Sequence, residues 1–204
     1  VAPQYFDASP STPSKPAAVR LVLPDLTLDL RTDRGVFAAD GVDPGTKLLL
    51  LVAPPPEGPA PVVLDLGCGY GPVAVTVARR NPGATVWAVD VNERARALCT
   101  ANAEMAGVGD RVRVVAPDDV PVDVVFDELW SNPPIRIGKP ALHELLTGWL
   151  ARLAPTGVAH LVVHKHLGSD SLAAWLTGQG WHVHRLESRG GYRVLDVSRA
   201  ETGA

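Results

Sequence analysis

The chain has 204 residues, enough for one domain with a sizeable core, and its 46% hydrophobic but only 5% aromatic content makes that core aliphatic. A net charge of −3 argues against indiscriminate nucleic-acid binding. No apolar run is long enough to span a bilayer, Leu48 to Pro54 being short and ending in proline, and the polar, proline-rich Val1 to Pro16 does not read as a secretory signal.

In chain order, Val19 to Leu23 and Leu26 to Leu30 alternate around Pro24-Asp25 and predict a hairpin. Asp43 to Leu51 predicts a short helix with Asp43 as cap and Pro44 in the first position. Pro54 to Pro59 reads as a stiff linker, so residues 1–58 form an N-terminal extension and 59–204 the main domain. Beyond it come strand Val62–Leu66, helix Gly71–Arg80, strand Thr85–Asp90, helix Asn92–Ala106, and strands Val112–Ala116 and Val124–Ser131. Helix Lys139–Leu153, strand Val158–Lys165 and helix Ser169–Gln179 follow, then strands His182–Ser188 and Tyr192–Ser198 as a final hairpin. Such alternation predicts an α/β fold, a mostly parallel sheet with helices on both faces, and the last hairpin supplies an antiparallel strand.

Two motifs carry chemistry. The run Val62 to Leu66 ends in Gly67-Cys68-Gly69-Tyr70-Gly71 with Pro72 opening a helix, the way α/β folds open a nucleotide site. The third glycine falls one place earlier than in the dinucleotide pattern, and Asp65 is poor company for a pyrophosphate but suits a cationic amino-acid group. Asp90, about 20 residues on at a second strand end, is placed for a ribose diol. Asn132-Pro133-Pro134-Ile135 ends another strand; both prolines lack an N–H, so the loop offers carbonyl acceptors beside the Asn132 amide, which suits a planar exocyclic amine.

The series Asp65 to Gly71, Asp90, Asp118 and Asn132 to Ile135 resembles class I S-adenosylmethionine-dependent methyltransferases. Within them it is similar to the small-subunit ribosomal RNA guanine-N2 methyltransferases of the RsmC type. Tyr5-Phe6, Thr32 to Phe37, Val42 to Thr46 and Gly190 to Leu195 extend the likeness over most of the chain. The resemblance implies a Rossmann-like fold with seven strands in the sheet, one of them antiparallel, and S-adenosylmethionine as cofactor. It departs in lacking the extra N-terminal methyltransferase-like domain of longer bacterial members, and in placing Ile135 where an aromatic usually follows the prolines.

By that resemblance, Gly67, Cys68, Gly69 and Gly71 pass close to the cofactor and Asp65 sits near its amino-acid end. Asp90 takes the ribose hydroxyls, Val91 and Asn92 line the adenine, Asp118 (with Asp119 as rival) accepts from the adenine amine, and Asn132 adjoins the methyl group. Asn132 and the Pro133 carbonyl accept the amine protons with Pro134 shaping the loop, and Ile135 covers the base. Arg136, Lys139, Lys165, Arg189 and Arg193 are candidates for phosphate contacts. From Ser131 onward 8 basic residues face 5 acidic ones, net +3, against −6 before it, which fits phosphate contacts and plain surface scatter equally.

The expected activity is methyl transfer to guanine N2 in small-subunit ribosomal RNA, by a cytoplasmic monomer or homodimer partnered by RNA or the small subunit, with no membrane and no metal. Alternatives are another amine or amide substrate (DNA adenine, protein glutamine, a small molecule) or a non-catalytic ribosome-assembly factor that keeps the cofactor site. His160, His164 and His166 on one strand, and His182 and His184 on another, have no Cys pair or metalloprotease spacing beside them, so metal binding is disfavoured. Cys68 reads as a small filler, Tyr70 and the five tryptophans as packing, and two cysteines give no disulfide framework, as suits a reduced cytosol.

Overall fold

A computed structural model describes residues 12–200; Tyr5 and Phe6 lie outside them. Two strands, β1 (Ala17–Val22) and β2 (Thr27–Thr32), form an antiparallel hairpin, followed by helix α1 (Pro44–Val52). The main sheet has seven strands: β3 (Val62–Leu66), β4 (Thr85–Val89), β5 (Val112–Val115), β6 (Phe126–Ser131), β7 (Leu153–His164), β8 (Trp181–Arg189) and β9 (Tyr192–Arg199). Their order is β5-β4-β3-β6-β7-β9-β8, and β9 alone runs antiparallel to its neighbours. Helices α2 (Pro72–Arg80), α3 (Glu93–Met105), α4 (Lys139–Leu150) and α5 (Ser169–Gly178) complete the layers. This is the class I methyltransferase arrangement that the sequence leads one to expect.

Alternating side chains send the two faces of the sheet into two cores. Val63, Val86 and Val162 pack with the hairpin, α1, α2 and α3, while Leu64, Leu129 and Leu161 pack with α4 and α5. The segment before the linker therefore shares its hydrophobic core with the sheet. The chain reverses direction across the sheet between β3 and β4 on one side and β6 on the other, which opens a crevice at the carboxyl ends of these strands.

Polar contacts dock the hairpin. The buried Asn102 on α3 accepts from Arg31 N–H at 2.7 Å and donates to the carbonyls of Arg31 at 2.9 Å and Tyr70 at 2.7 Å. Arg80, at the end of α2, pairs with Asp25 in the hairpin turn at 2.8 Å and donates to Leu50 O at 2.6 Å. The linker is pinned as well: Asn81 donates to Pro56 O at 3.0 Å.

Several boundaries differ from expectation. Helix α4 stops at Leu150 because Leu153 is already paired with Phe126 in the sheet. Strand β7 then begins five residues before Val158, through a bulge in which Gly157 sits so close to Asp127 O that a Cβ would come within 3.0 Å. At the other end β7 stops at His164, so His166 falls in a short 3₁₀ turn and not on the strand. Among the described residues no helix is long and apolar enough to cross a membrane.

Replacing Asn102 by Ala removes partners from three backbone groups at once. Stability is expected to fall by about 2–4 kcal/mol, seen as a lower urea midpoint at unchanged slope. A midpoint equal to that of the parent protein would show that the hairpin docks by other means.

Candidate active site

The glycine turn after β3 uses its amides internally. Gly67 and Cys68 N–H donate to Val89 O at 2.8 and 3.0 Å, Gly69 N–H to Asp90 Oδ2 at 2.9 Å and Gly71 N–H to Cys68 O at 2.9 Å. Four donors that would cradle a pyrophosphate in a dinucleotide site are thus spent. Gly71, with φ +92°, has no room for a side chain: a Cβ would stand 2.7 Å from Cys99 Sγ. Gly67 and Gly69 also have positive φ, but there a Cβ would meet nothing within 4 Å, and both line a cavity.

Asp65 is buried beneath this turn and accepts from Ala74 N–H at 2.9 Å, capping the first turn of α2. Burial, seconded by the nearby Asp90 charge, pushes its pKa up to about 7 despite that hydrogen bond. Asp90 follows β4 and accepts one backbone donor on each oxygen, Asn92 N–H at 2.8 Å and Gly69 N–H at 2.9 Å. Burial raises its pKa too, against those two bonds and the Arg96 charge. Each oxygen keeps a free lone pair for a ligand hydroxyl.

Asn132, directly after β6, is set by residues from the other end of the chain. Its Nδ2 donates to Asp43 Oδ1 at 2.8 Å and Thr46 Oγ1 at 3.0 Å, while the same Asp43 oxygen accepts from Thr46 N–H at 2.9 Å as the cap of α1. A carboxylate only accepts, so the amide nitrogen must face Asp43 and its oxygen is left to face elsewhere. One expectation needs adjusting: the Pro133 carbonyl is not without a competing donor, because Ile135 N–H reaches it at 2.8 Å and occupies one of its two lone pairs.

These groups surround a cavity of about 480 Å³, within the range of small-molecule sites. Gly67, Gly69, Asp90, Val91 and the stretch Asn132 to Arg136 line it. An adjoining recess of about 30 Å³ reaches Asp65, Cys68 and the Tyr70 hydroxyl, which is buried without a hydrogen-bond partner.

Other expected residues lie elsewhere. Asn92 turns from the cavity to cap α3, accepting from Ala95 N–H at 3.2 Å and donating to Gly35 O at 2.8 Å. Asp118 is exposed and lines a neighbouring depression; Pro117 takes the place beside the cavity. Arg193 forms an ion pair with Asp170. Arg136 lines the cavity, and Lys139, Lys165 and Arg189 are exposed at the carboxyl edge of the sheet. His160 lies inside the sheet and pairs with Asp196 at 2.8 Å, and among the described residues no cluster of three or more His, Cys, Asp or Glu could hold a metal. Both cysteines are free and buried, and a hydrogen bond with Cys99 together with burial pushes the Cys68 thiol up.

Local sequence does not show that Asp43 has a second role beyond its helix cap, nor that the rings of Phe37, His164 and Tyr192 line the cavity. What it does show is that Thr32 to Phe37, Val42 to Thr46 and Gly190 to Leu195 stand in family-like stretches.

A family model described as methyltransferase small domain matches residues 27–196. The chain belongs to that family. It is 30% identical to the uncharacterized protein YbxB of Bacillus subtilis over 96% of its own length and 98% of that protein's. It is 32% identical to ribosomal RNA small subunit methyltransferase C of Shewanella amazonensis over 86% of this chain and 50% of that one. The solved T. thermophilus 16S rRNA N2 G1207 methyltransferase, in complex with AdoMet and guanosine, superposes with a TM-score of 0.74 at 24% identity, covering 94% of this chain and 52% of that one. The methyltransferase small domain chain thus spans about half the length of the curated ribosomal RNA methyltransferases it matches.

S-adenosylmethionine is the cofactor that goes with this family, and the residues fit it. Asp90 offers acceptors for a ribose diol, the open Cβ positions of Gly67 and Gly69 leave room for close approach, and the Asp65 recess holds an acid and an unpartnered hydroxyl for the charged amino-acid end.

Proposed function

We propose that this chain methylates guanine N2 in small-subunit ribosomal RNA, in the cytoplasm. The observation that carries the reading is the fixed Asn132 amide, whose nitrogen is consumed by Asp43 and Thr46 and whose oxygen is left as an acceptor at the cavity. Support for RNA comes from the names of the Shewanella and T. thermophilus relatives and from Arg136, an exposed basic residue that lines the cavity.

S-adenosylmethionine, when bound, supplies a methyl group on a positively charged sulfur, so the protein's task is to orient a nucleophile. Asp90 would hold the ribose and Asp65 the ammonium. Asn132 Oδ1 and the remaining lone pair of Pro133 O would accept the two protons of the exocyclic amine. That contact favours a pyramidal nitrogen and points its lone pair along the line of transfer. Positive charge develops on the nitrogen as the bond forms, and the Asp43 carboxylate, acting through the Asn132 amide, makes Oδ1 a stronger acceptor for it. The extra proton leaves to solvent after transfer, and no side chain has to act as a base.

The direct test is mass-spectrometric mapping of modified nucleosides in RNA from cells with and without the protein. Loss of N2-methylguanosine from small-subunit RNA is expected; an unchanged RNA profile would refute the assignment.

Asp43→Asn keeps a helix cap but lets residue 43 donate as well as accept, freeing the Asn132 amide to turn. Methyl transfer is expected to slow on the order of ten- to a hundredfold with cofactor affinity changed only a few-fold. Undiminished turnover would remove Asp43 from the mechanism.

Asp65 is largely neutral below its pKa of about 7 and anionic above it. Cofactor affinity, read by calorimetry, is therefore expected to climb between about pH 5.5 and 7.5 as the carboxylate ionises opposite the ammonium. Methylthioadenosine, which lacks the amino-acid end, should show no such rise. Parallel profiles for the two ligands would place the ammonium away from Asp65.

A further inference from the structure

The loop after β6 presents Ile135, an aliphatic side chain, where a flat base has to be held. The rings come from other segments. Tyr192 opens β9 opposite His164 at the end of β7, and the two meet edge-on at 4.9 Å and 87°. His164 is itself set by His166 N–H, which donates to its Nδ1 at 3.3 Å. Tyr192 also lies against α1: a Cβ on Gly45 would stand 2.6 Å from the ring. Gly45 is flanked by Thr46 and lies two residues from Asp43, the pair that holds the Asn132 amide. The Tyr192 ring is thereby fixed beside the acceptor that would face the reacting amine. Phe37 lines the same cavity from the loop before α1 and is 41% exposed.

We propose that Tyr192 and Phe37 form a stacking wall for a planar nucleobase, with His164 and Gly45 fixing the Tyr192 ring, so that the base is gripped by rings outside the loop that orients its amine. This inference rests on the nucleic-acid reading above and specifies how its base is bound. Stacking needs a π face and is tolerant of sequence, with larger bases stacking more strongly. The wall therefore sets a purine-over-pyrimidine preference, and the acceptors at Asn132 and Pro133 select the amine.

The test is calorimetric titration of the full chain, saturated with S-adenosylhomocysteine, by the monophosphates of guanosine, adenosine, cytidine and uridine. The parent protein should bind the purines more tightly. Tyr192→Phe should stay within about threefold, while Tyr192→Leu, which keeps apolar bulk without a ring, should lose about tenfold or more for purines. In the Leu variant the purine preference should collapse with S-adenosylhomocysteine affinity unchanged, a pattern that general loosening of the fold would not produce. Phe37→Leu should show the same loss to a smaller degree. Equal purine binding by parent, Tyr192→Leu and Phe37→Leu would overturn the wall, as would a parent protein that binds no nucleotide. Failure of the guanine assignment reads out separately, as an unchanged nucleoside profile in cellular RNA alongside ring-dependent purine binding.

Discussion

One carboxylate oxygen, Asp43 Oδ1, organises the site. It receives the Thr46 amide that starts α1 and the Nδ2 of Asn132, so a helix cap and a reactive-loop clamp are the same atom. Because a carboxylate can only accept, the direction of the Asn132 amide follows from chemistry and not from packing. The consequence reaches the whole N-terminal segment. The stretch before the linker carries Asp43, covers the crevice with Phe37, and is docked through Asn102 and Arg80. Fold and site cannot be separated there: loosening the hairpin loosens the cap, and loosening the cap lets the amide turn.

The glycine turn makes a second point about specificity. Its shape is shared with sites that bind phosphates, yet four of its amides are satisfied by Val89, Asp90 and Cys68, and the start of α2 is already capped by Asp65. An anion arriving there would meet few free donors and a buried acid. A cation meets the reverse, a carboxylate whose ionisation is held back by burial and by Asp90 until a positive group joins it. Backbone conformation alone does not distinguish these ligands; hydrogen-bond accounting does.

Most of the architecture was legible in the sequence because its signals are local. Alternating strand residues, Pro72 opening α2 and Asp43 capping α1 each act within a few positions, and Asp65, Asp90 and Asn132 fall at strand ends that converge in any sheet of this order. What escaped was set by distant partners. Asp43 and Asn132 are 89 residues apart, and nothing local to either says that they meet. Arg193 looked available until the turn before α5 brought Asp170 beside it, and Asp118 follows a short edge strand whose 3₁₀ turn aims it at the next depression. Exposed charges are the hardest to place by sequence, since the pairing of long side chains is weak and depends on whichever neighbour the fold supplies.

The uneven charge along the chain acquires a spatial meaning. Asp43, Asp65 and Asp90, all from the acidic first part, gather in and beneath a cavity that has otherwise apolar walls. Arg136, from the basic second part, lines the cavity further out, and Lys139, Lys165 and Arg189 are exposed at the carboxyl edge of the sheet. A site of this kind repels a polyanion from its floor while attracting one to its rim. Phosphates held at the rim would leave a single uncharged base free to enter, toward carboxylates that welcome a cation and an acceptor that welcomes an amine. That separation by depth would let a protein of net charge −3 handle a nucleic acid without a uniformly basic surface.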